Sequence, residues 1–156
     1  MGLIRFQPSQ FRANAPEIIH YPPEASATFA IGAPLQRDSN PEFVEEHAGG
    51  STVTGIVGTA LGPSTSGSPA IGDKVPVAMA DTTTLWLGQV YDVSGSAVAT
   101  AAVGTHEGVQ FGMIKVGNDW YVDEEDASNV VLRVIKVLPK INAVLFRWID
   151  TAIDAS

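Results

Sequence analysis

The chain has 156 residues, of which 45% are hydrophobic and only 17% charged, with a formal charge of −8 and no cysteine. That supplies enough apolar material for one packed domain but too little Glu and Lys for long solvated helices, and the acidity opposes binding to a phosphate backbone. The lack of cysteine removes disulfides, thiolate metal sites and cysteine nucleophiles from consideration.

The cations Arg5, Arg12, Arg37, Lys74, Lys115, Arg133, Lys136, Lys140 and Arg147 are scattered, and only the last four lie close together in sequence. No nucleic-acid partner is expected. The opening MGLIRFQPSQFR has no signal-peptide layout, and no apolar run approaches bilayer-spanning length. The expectation is a soluble protein made in the cytoplasm, with no membrane partner.

Residues 1–27 stand apart from the rest. Pro8, Pro16, Pro22 and Pro23 break any helix and remove donors that a central strand needs. Yet Leu3, Ile4, Phe6, Phe11, Ile18, Ile19 and Tyr21 are too apolar for a flexible linker. The segment reads as an extended arm that lays these side chains on a surface, its own body's or, in preference, a neighbour's. A β domain is expected over 28–156.

From Thr28 onward short apolar runs alternate with turn signals. Thr28–Ile31 is a first strand, closed by Gly32 and Pro34. Residues 35–50 form a polar connection in which 40–47 gives a helical turn or two. Thr52–Thr59 is a strand with Gly55 marking a bulge or close approach. The Gly, Ser and Pro residues of 61–69 make a loop. Lys74–Met79 alternates around Val75 and Val77, and Thr84–Val90 carries Leu85 and Leu87 on one face with Trp86 on the other. Ala97–Val103 is open between strand and loop. Val109–Val116, Gly117-Asn118-Asp119 and Trp120–Val122 form a hairpin. A second joins Val130–Leu138 to Ala143–Ile149 through Pro139–Asn142, although alternation around Arg133 and Lys136 is imperfect. About eight short strands at this spacing give an all-β fold, a small β-barrel or β-sandwich with an extended N-terminal arm.

Catalytic chemistry finds little footing. His20, His47 and His106 have no metal-ligand spacing, and His106 beside Glu107 reads as an exposed loop histidine. The acidic run Asp123–Asp126 lacks the glycine and terminal glutamate of a calcium loop and reads as solvated charge, with Asp126 or Ser128 ending a loop. No serine lies in a nucleophile elbow and no glycine-rich phosphate loop is present. Trp86, Trp120 and Trp148 each fall on a predicted strand, where the commoner roles are core or interface anchors rather than a sugar platform. The expectation is a non-enzymatic binding protein with no cofactor and no metal.

The run Phe29-Ala30-Ile31-Gly32, then Glu46-His47-Ala48-Gly49-Gly50, Thr54-Gly55-Ile56-Val57-Gly58, Gly72-Asp73-Lys74-Val75-Pro76-Val77 and Trp120-Tyr121-Val122-Asp123 resembles, in texture and order, the head decoration (cement) proteins of tailed bacteriophages. The resemblance implies a compact, β-tulip-like domain, often a homotrimer, on the outer surface of the virion capsid at junctions between major capsid proteins. The arm would cross a subunit boundary and stabilise the expanded head. Two alternatives come from other classes: a carbohydrate- or receptor-binding head-fibre or tail-associated module, and a small hydrolase with its site at a trimer interface.

Overall fold

The computed structural model describes residues 2–9, 15–65 and 74–154, and these are nearly all β. The strands are β1 (Gln7–Pro8), β2 (Ile18–Tyr21), β3 (Pro34–Arg37), β4 (Val44–Glu46), β5 (Gly58–Ala60), β6 (Val75–Met79), β7 (Trp86–Gly88), β8 (Val90–Asp92), β9 (Ala97–Val98), β10 (Gln110–Val116), β11 (Asp119–Asp123), β12 (Leu132–Leu138) and β13 (Ala143–Trp148). One short helix, α1 (Val103–His106), follows β9. A five-stranded antiparallel sheet runs β2-β6-β5-β3-β4, and an eight-stranded sheet runs β1-β7-β13-β12-β10-β11-β8-β9 with a single parallel pairing, β11 on β8. The first sheet is built from residues 18–79. The second is built from 86–148, plus two residues from the extreme N-terminal end.

The two sheets share one apolar core. Leu35, Val44, Ala60 and Val77 from the first meet Trp86, Phe111, Val122, Val134, Phe146 and Trp148 from the second. The hairpins expected late in the chain are present. Gly117, at φ +64°, takes the first position of the tight turn that aligns Val116 with Asp119, where glycine pays no steric penalty. The imperfect alternation of the last hairpin is a β-bulge: the register shifts between Val134 and Lys136, so Arg133 opposes Arg147 and Lys136 opposes Leu145 on the same face.

Several earlier elements differ from expectation. Residues 28–31 are not a strand; Phe29 makes only an isolated bridge with Ser64. The helical turns expected over 40–47 are instead a hairpin of β3 and β4. Its connection is set by Asp38, whose carboxylate accepts from the Asn40 amide while the Asp38 amide reaches the Phe43 carbonyl; this local Asx geometry competes successfully with helix. The strand expected over 52–59 shortens to Gly58–Ala60, preceded by Gly49, Gly50 and Gly55 at positive φ. The ambiguous stretch 97–103 holds β9 and the start of α1.

The N-terminal segment is woven into both sheets. Pro8 lies opposite Trp86 and Gln7 opposite Leu87, while β2 pairs along β6. Phe6 is 1% exposed, its ring 5.0 Å from that of Phe146 and 6.0 Å from that of Trp148. Two glycines make its slot: a Cβ at Gly88 would stand 2.8 Å from the Phe6 ring, and one at Gly32 would stand 3.2 Å from the Phe6 carbonyl oxygen. The C-terminal end crosses the other way. The Ile56 amide donates to the Ala152 carbonyl, the Asp154 amide donates to the Ile56 carbonyl, and Arg37 of β3 meets Asp154 at 2.7 Å.

Removing the Phe6 ring leaves a cavity at this junction, so Phe6→Ala should lower unfolding free energy by about 3–5 kcal/mol in denaturant titrations. Gly88→Ala overpacks the same slot and should cost about 1–3 kcal/mol, and less than that in the Phe6→Ala background. Equal costs in both backgrounds would show that the two residues do not share a slot.

Candidate functional site

The arm residues divide by depth. Phe6 belongs to this chain's own core, which corrects the preference for placing it on a neighbour: its ring is already surrounded, and a substitution there tests folding rather than binding. Ile4 is half-buried, packed on a small second cluster of Leu87, Ala143 and Leu145 on the outer face of the eight-stranded sheet, and its amide donates to Gln89 Oε1 at 3.0 Å. Tyr21 lies half-buried with Arg37 stacked over its ring, and Ile19 is half-buried on β2. Leu3 and Ile18 remain exposed. Phe11 lies outside the described residues.

The three tryptophans are inside. Trp86 and Trp148 are fully buried and Trp120 is 4% exposed, so they form no exposed platform. Trp120 instead ties the sheets together: its Nε1 donates to Glu46 Oε2 at 3.0 Å, and Lys115 pairs with the same carboxylate. Its ring also lies over Gly49, where a Cβ would come within 2.9 Å. The Glu46–Gly50 and Trp120–Asp123 motifs therefore meet in space, and what they do there is packing.

The histidines of the body are also structural. His106 is buried, contrary to the expected exposed loop. Its Nδ1 accepts from the Ala102 amide at 2.9 Å, which makes Nε2 the protonated nitrogen, donating to Glu124 at 2.7 Å. His47 repeats the arrangement, with Nδ1 accepting from the Gly49 amide and Nε2 donating to the Thr54 carbonyl. Each ring nitrogen is thus occupied. Burial holds the His47 pKa below its ordinary value, opposed by the bond to Thr54.

The acidic run is only partly solvated. Glu124 serves His106, Glu125 accepts from the Ser94 amide, and Asp126 accepts from the Ser128 and Asn129 amides and so closes the loop as expected. Burial, followed by the neighbouring Asp126 and Glu125 charges, raises the Asp123 pKa. Among the described residues no group of His, Asp and Glu is arranged to hold a metal ion, and no helix is long and apolar enough to cross a membrane.

What the surface does offer is an open sheet edge. β9 ends the eight-stranded sheet, and both its residues are exposed. Sheet edges are normally blunted by short length, charge or proline; β9 is two residues long, but residues 94–102, SGSAVATAA, contain neither charge nor proline. The segment is held extended from behind: Asn142 accepts from the Ala101 amide and donates to the Ala99 carbonyl, and the Ala99 amide bonds Val90. Beside this edge lies a groove of about 380 Å³ lined by Gly2, Leu3, Gln89, Val98, Tyr121 and Asn142. Leu3 and Val98 are 41% and 40% exposed. Both edges of the other sheet are better defended, since β2 is flanked by Pro16, Pro22 and Pro23 and β4 carries Glu45 and Glu46. Sequence reasoning missed the β9 edge; its signal was a nine-residue stretch without charge or proline following a Ser-Gly-Ser turn.

Comparison with known protein families, curated proteins and solved structures found no match.

Because the His47 pKa is lower in the folded chain than the ordinary value of about 6.5, the unfolded chain takes up this proton first as pH falls. Stability from His47 should be complete above that pH and decline below it, with a slope approaching about 1.4 kcal/mol per pH unit. Urea unfolding between pH 8 and 5 checks this. His47→Gln should flatten the profile, and an unchanged slope in the variant would remove His47 as its source.

Proposed function

We propose that the chain is a capsid decoration (cement) protein of a tailed bacteriophage. It binds, as a homotrimer, to the outer surface of the expanded head, clamps neighbouring major capsid proteins and holds the shell against internal DNA pressure. The observation that carries this reading is the β9 edge, free of charge and proline, with its groove and the exposed Leu3 and Val98. An extended segment of a capsid subunit would add to the edge through main-chain hydrogen bonds, while the groove and the two aliphatic side chains select its residues. Three copies bound together multiply weak single contacts through effective concentration. Binding the expanded lattice in preference to the precursor stabilises the expanded state by linkage. The resemblance of the sequence motifs to decoration proteins supports the same reading. The buried tryptophans lend no support to a glycan-binding module.

Co-sedimentation of the full chain with expanded undecorated heads, and with precursor heads as control, tests the proposal. Saturable binding to expanded heads alone is expected. Burying an aliphatic side chain contributes roughly 1.5–3 kcal/mol, so Leu3→Ser with Val98→Lys should weaken binding by at least about tenfold at an unchanged melting temperature. Binding to neither head form would overturn the reading, and full binding by the double variant would move the contact away from β9.

A further inference from the structure

We infer that the outer face of the β12–β13 hairpin is a docking site for a single carboxylate presented by a partner protein. This face lies away from the β9 edge, with β10, β11 and β8 between them in the sheet, and the inference stands independently of the capsid reading.

The starting observation is a local conflict. Arg133 and Arg147 sit directly opposite one another across an antiparallel pair, and like charges so placed repel. The chain has 17 acidic residues to 9 basic ones, so an opposite-charge pair would have been the easier arrangement. Three cations meet carboxylates: Arg5 with Asp119, Arg37 with Asp154, and Lys115 with Glu46. Lys74, Lys136 and Lys140 have no ion pair among the described residues, but they do not face another cation across a strand pair. Arg147 is exposed and has no ion-pair partner among the described residues. Breaking a local rule at a surface position without a compensating contact marks a site that something else completes.

The surroundings make the pair usable. Arg133 donates from Nη1 to the Gly108 carbonyl at 2.8 Å, which fixes its guanidinium while leaving further donors in its planar fork. Both arginines line an open groove of about 500 Å³ together with Thr82, Thr83, Ile149 and Asp150. The threonine wall is held in shape by Asp81, which accepts from the Thr83 and Thr84 amides and from both hydroxyls. The bulge at Ile135 turns Lys136 toward this side of the hairpin too, but Lys136 does not line the groove, whose charged lining residues are Arg133, Arg147 and Asp150.

Charge complementarity chooses the occupant. Asp150 on the groove offsets one of the two guanidinium charges, leaving about one positive charge, which matches a carboxylate better than the near-double charge of a phosphate group. The arginine fork fits the planar carboxylate in a two-point contact. The groove is open to solvent rather than enclosed, which suits a Glu or Asp side chain standing on another protein's surface more than a small free metabolite.

The test uses the full chain with isotopically labelled arginine, following the side-chain Nε–H resonances of Arg133 and Arg147 at low salt. The probes are a short polyglutamate peptide and, in parallel, inorganic phosphate and a single-stranded oligonucleotide. The peptide should shift both resonances, with phosphate and oligonucleotide needing at least about tenfold higher concentration. Arg147→Gln should weaken the peptide response by at least about tenfold and, by relieving the cross-strand repulsion, leave the melting temperature unchanged or higher. Arg147→Lys, which keeps the charge but loses the fork, should fall between. The inference is overturned if the peptide leaves the resonances unmoved, if either other anion matches it, or if Arg147→Gln retains full response. A lowered melting temperature in both variants would also overturn it, by making Arg147 a structural residue.

Discussion

The structure depends on an exchange of chain ends. Each sheet is assembled mainly from one half of the sequence, and each is fastened by the opposite terminus. Residues 7–8 join the sheet made by 86–148, and the stretch Ala152–Asp154 returns to Ile56, just before β5 of the sheet made by 18–79. Closing such long loops costs chain entropy that grows only slowly with length. Burial of Phe6 between Gly88, Phe146 and Trp148 opposes that cost at one end, and the Arg37–Asp154 pair helps at the other. The remaining ties, Trp120 to Glu46 and the shared core, run between sheets that the two termini already hold in register.

This arrangement decides what is left for function. The three tryptophans, Phe6, Phe29, Phe111 and Phe146 and the two buried histidines are spent internally, each histidine with both ring nitrogens engaged. The outward features are of a different kind: a sheet edge without charge or proline at β9, and a pair of opposed arginines on the last hairpin. Both are places where the fold carries an unresolved cost, a sheet edge in one case and like-charge repulsion in the other. Under the two proposals a binding partner would relieve both, and relief available only in a complex would shift the equilibrium toward it. The two features lie on separate parts of the eight-stranded sheet, so they can meet different surfaces of one large assembly.

How much of this the sequence discloses follows from the range of each interaction. The late hairpins are legible because their turns, Gly117-Asn118 and Pro139–Asn142, are local chemistry, and even the bulge left its mark as faulty alternation around Arg133 and Lys136. The β3–β4 hairpin is hidden because Asn40-Pro41-Glu42 also reads as a helix start, and only the Asx contacts of Asp38 decide against it. The destination of Phe6 is not legible at all: its partners lie at Gly88 and Phe146, and an apolar arm looks the same whether it closes on its own body or on a neighbour. His106 is misread for the same reason, since its partners, Phe111 on β10 and Glu124 just after β11, come from elsewhere in the chain.

The claim that the N-terminal end is a built-in strand rather than a free arm is tested most directly by native-state hydrogen exchange. The amides to follow are those of Ile4 and Ser9, which donate to Gln89 and to the Leu85 carbonyl. If the account holds, they exchange with the same free energy of opening as the amides of β7, because the segment leaves only when the core opens. Rapid exchange at Ile4 and Ser9 while β7 stays protected would contradict it, and would restore the segment as an arm free to reach a neighbouring subunit.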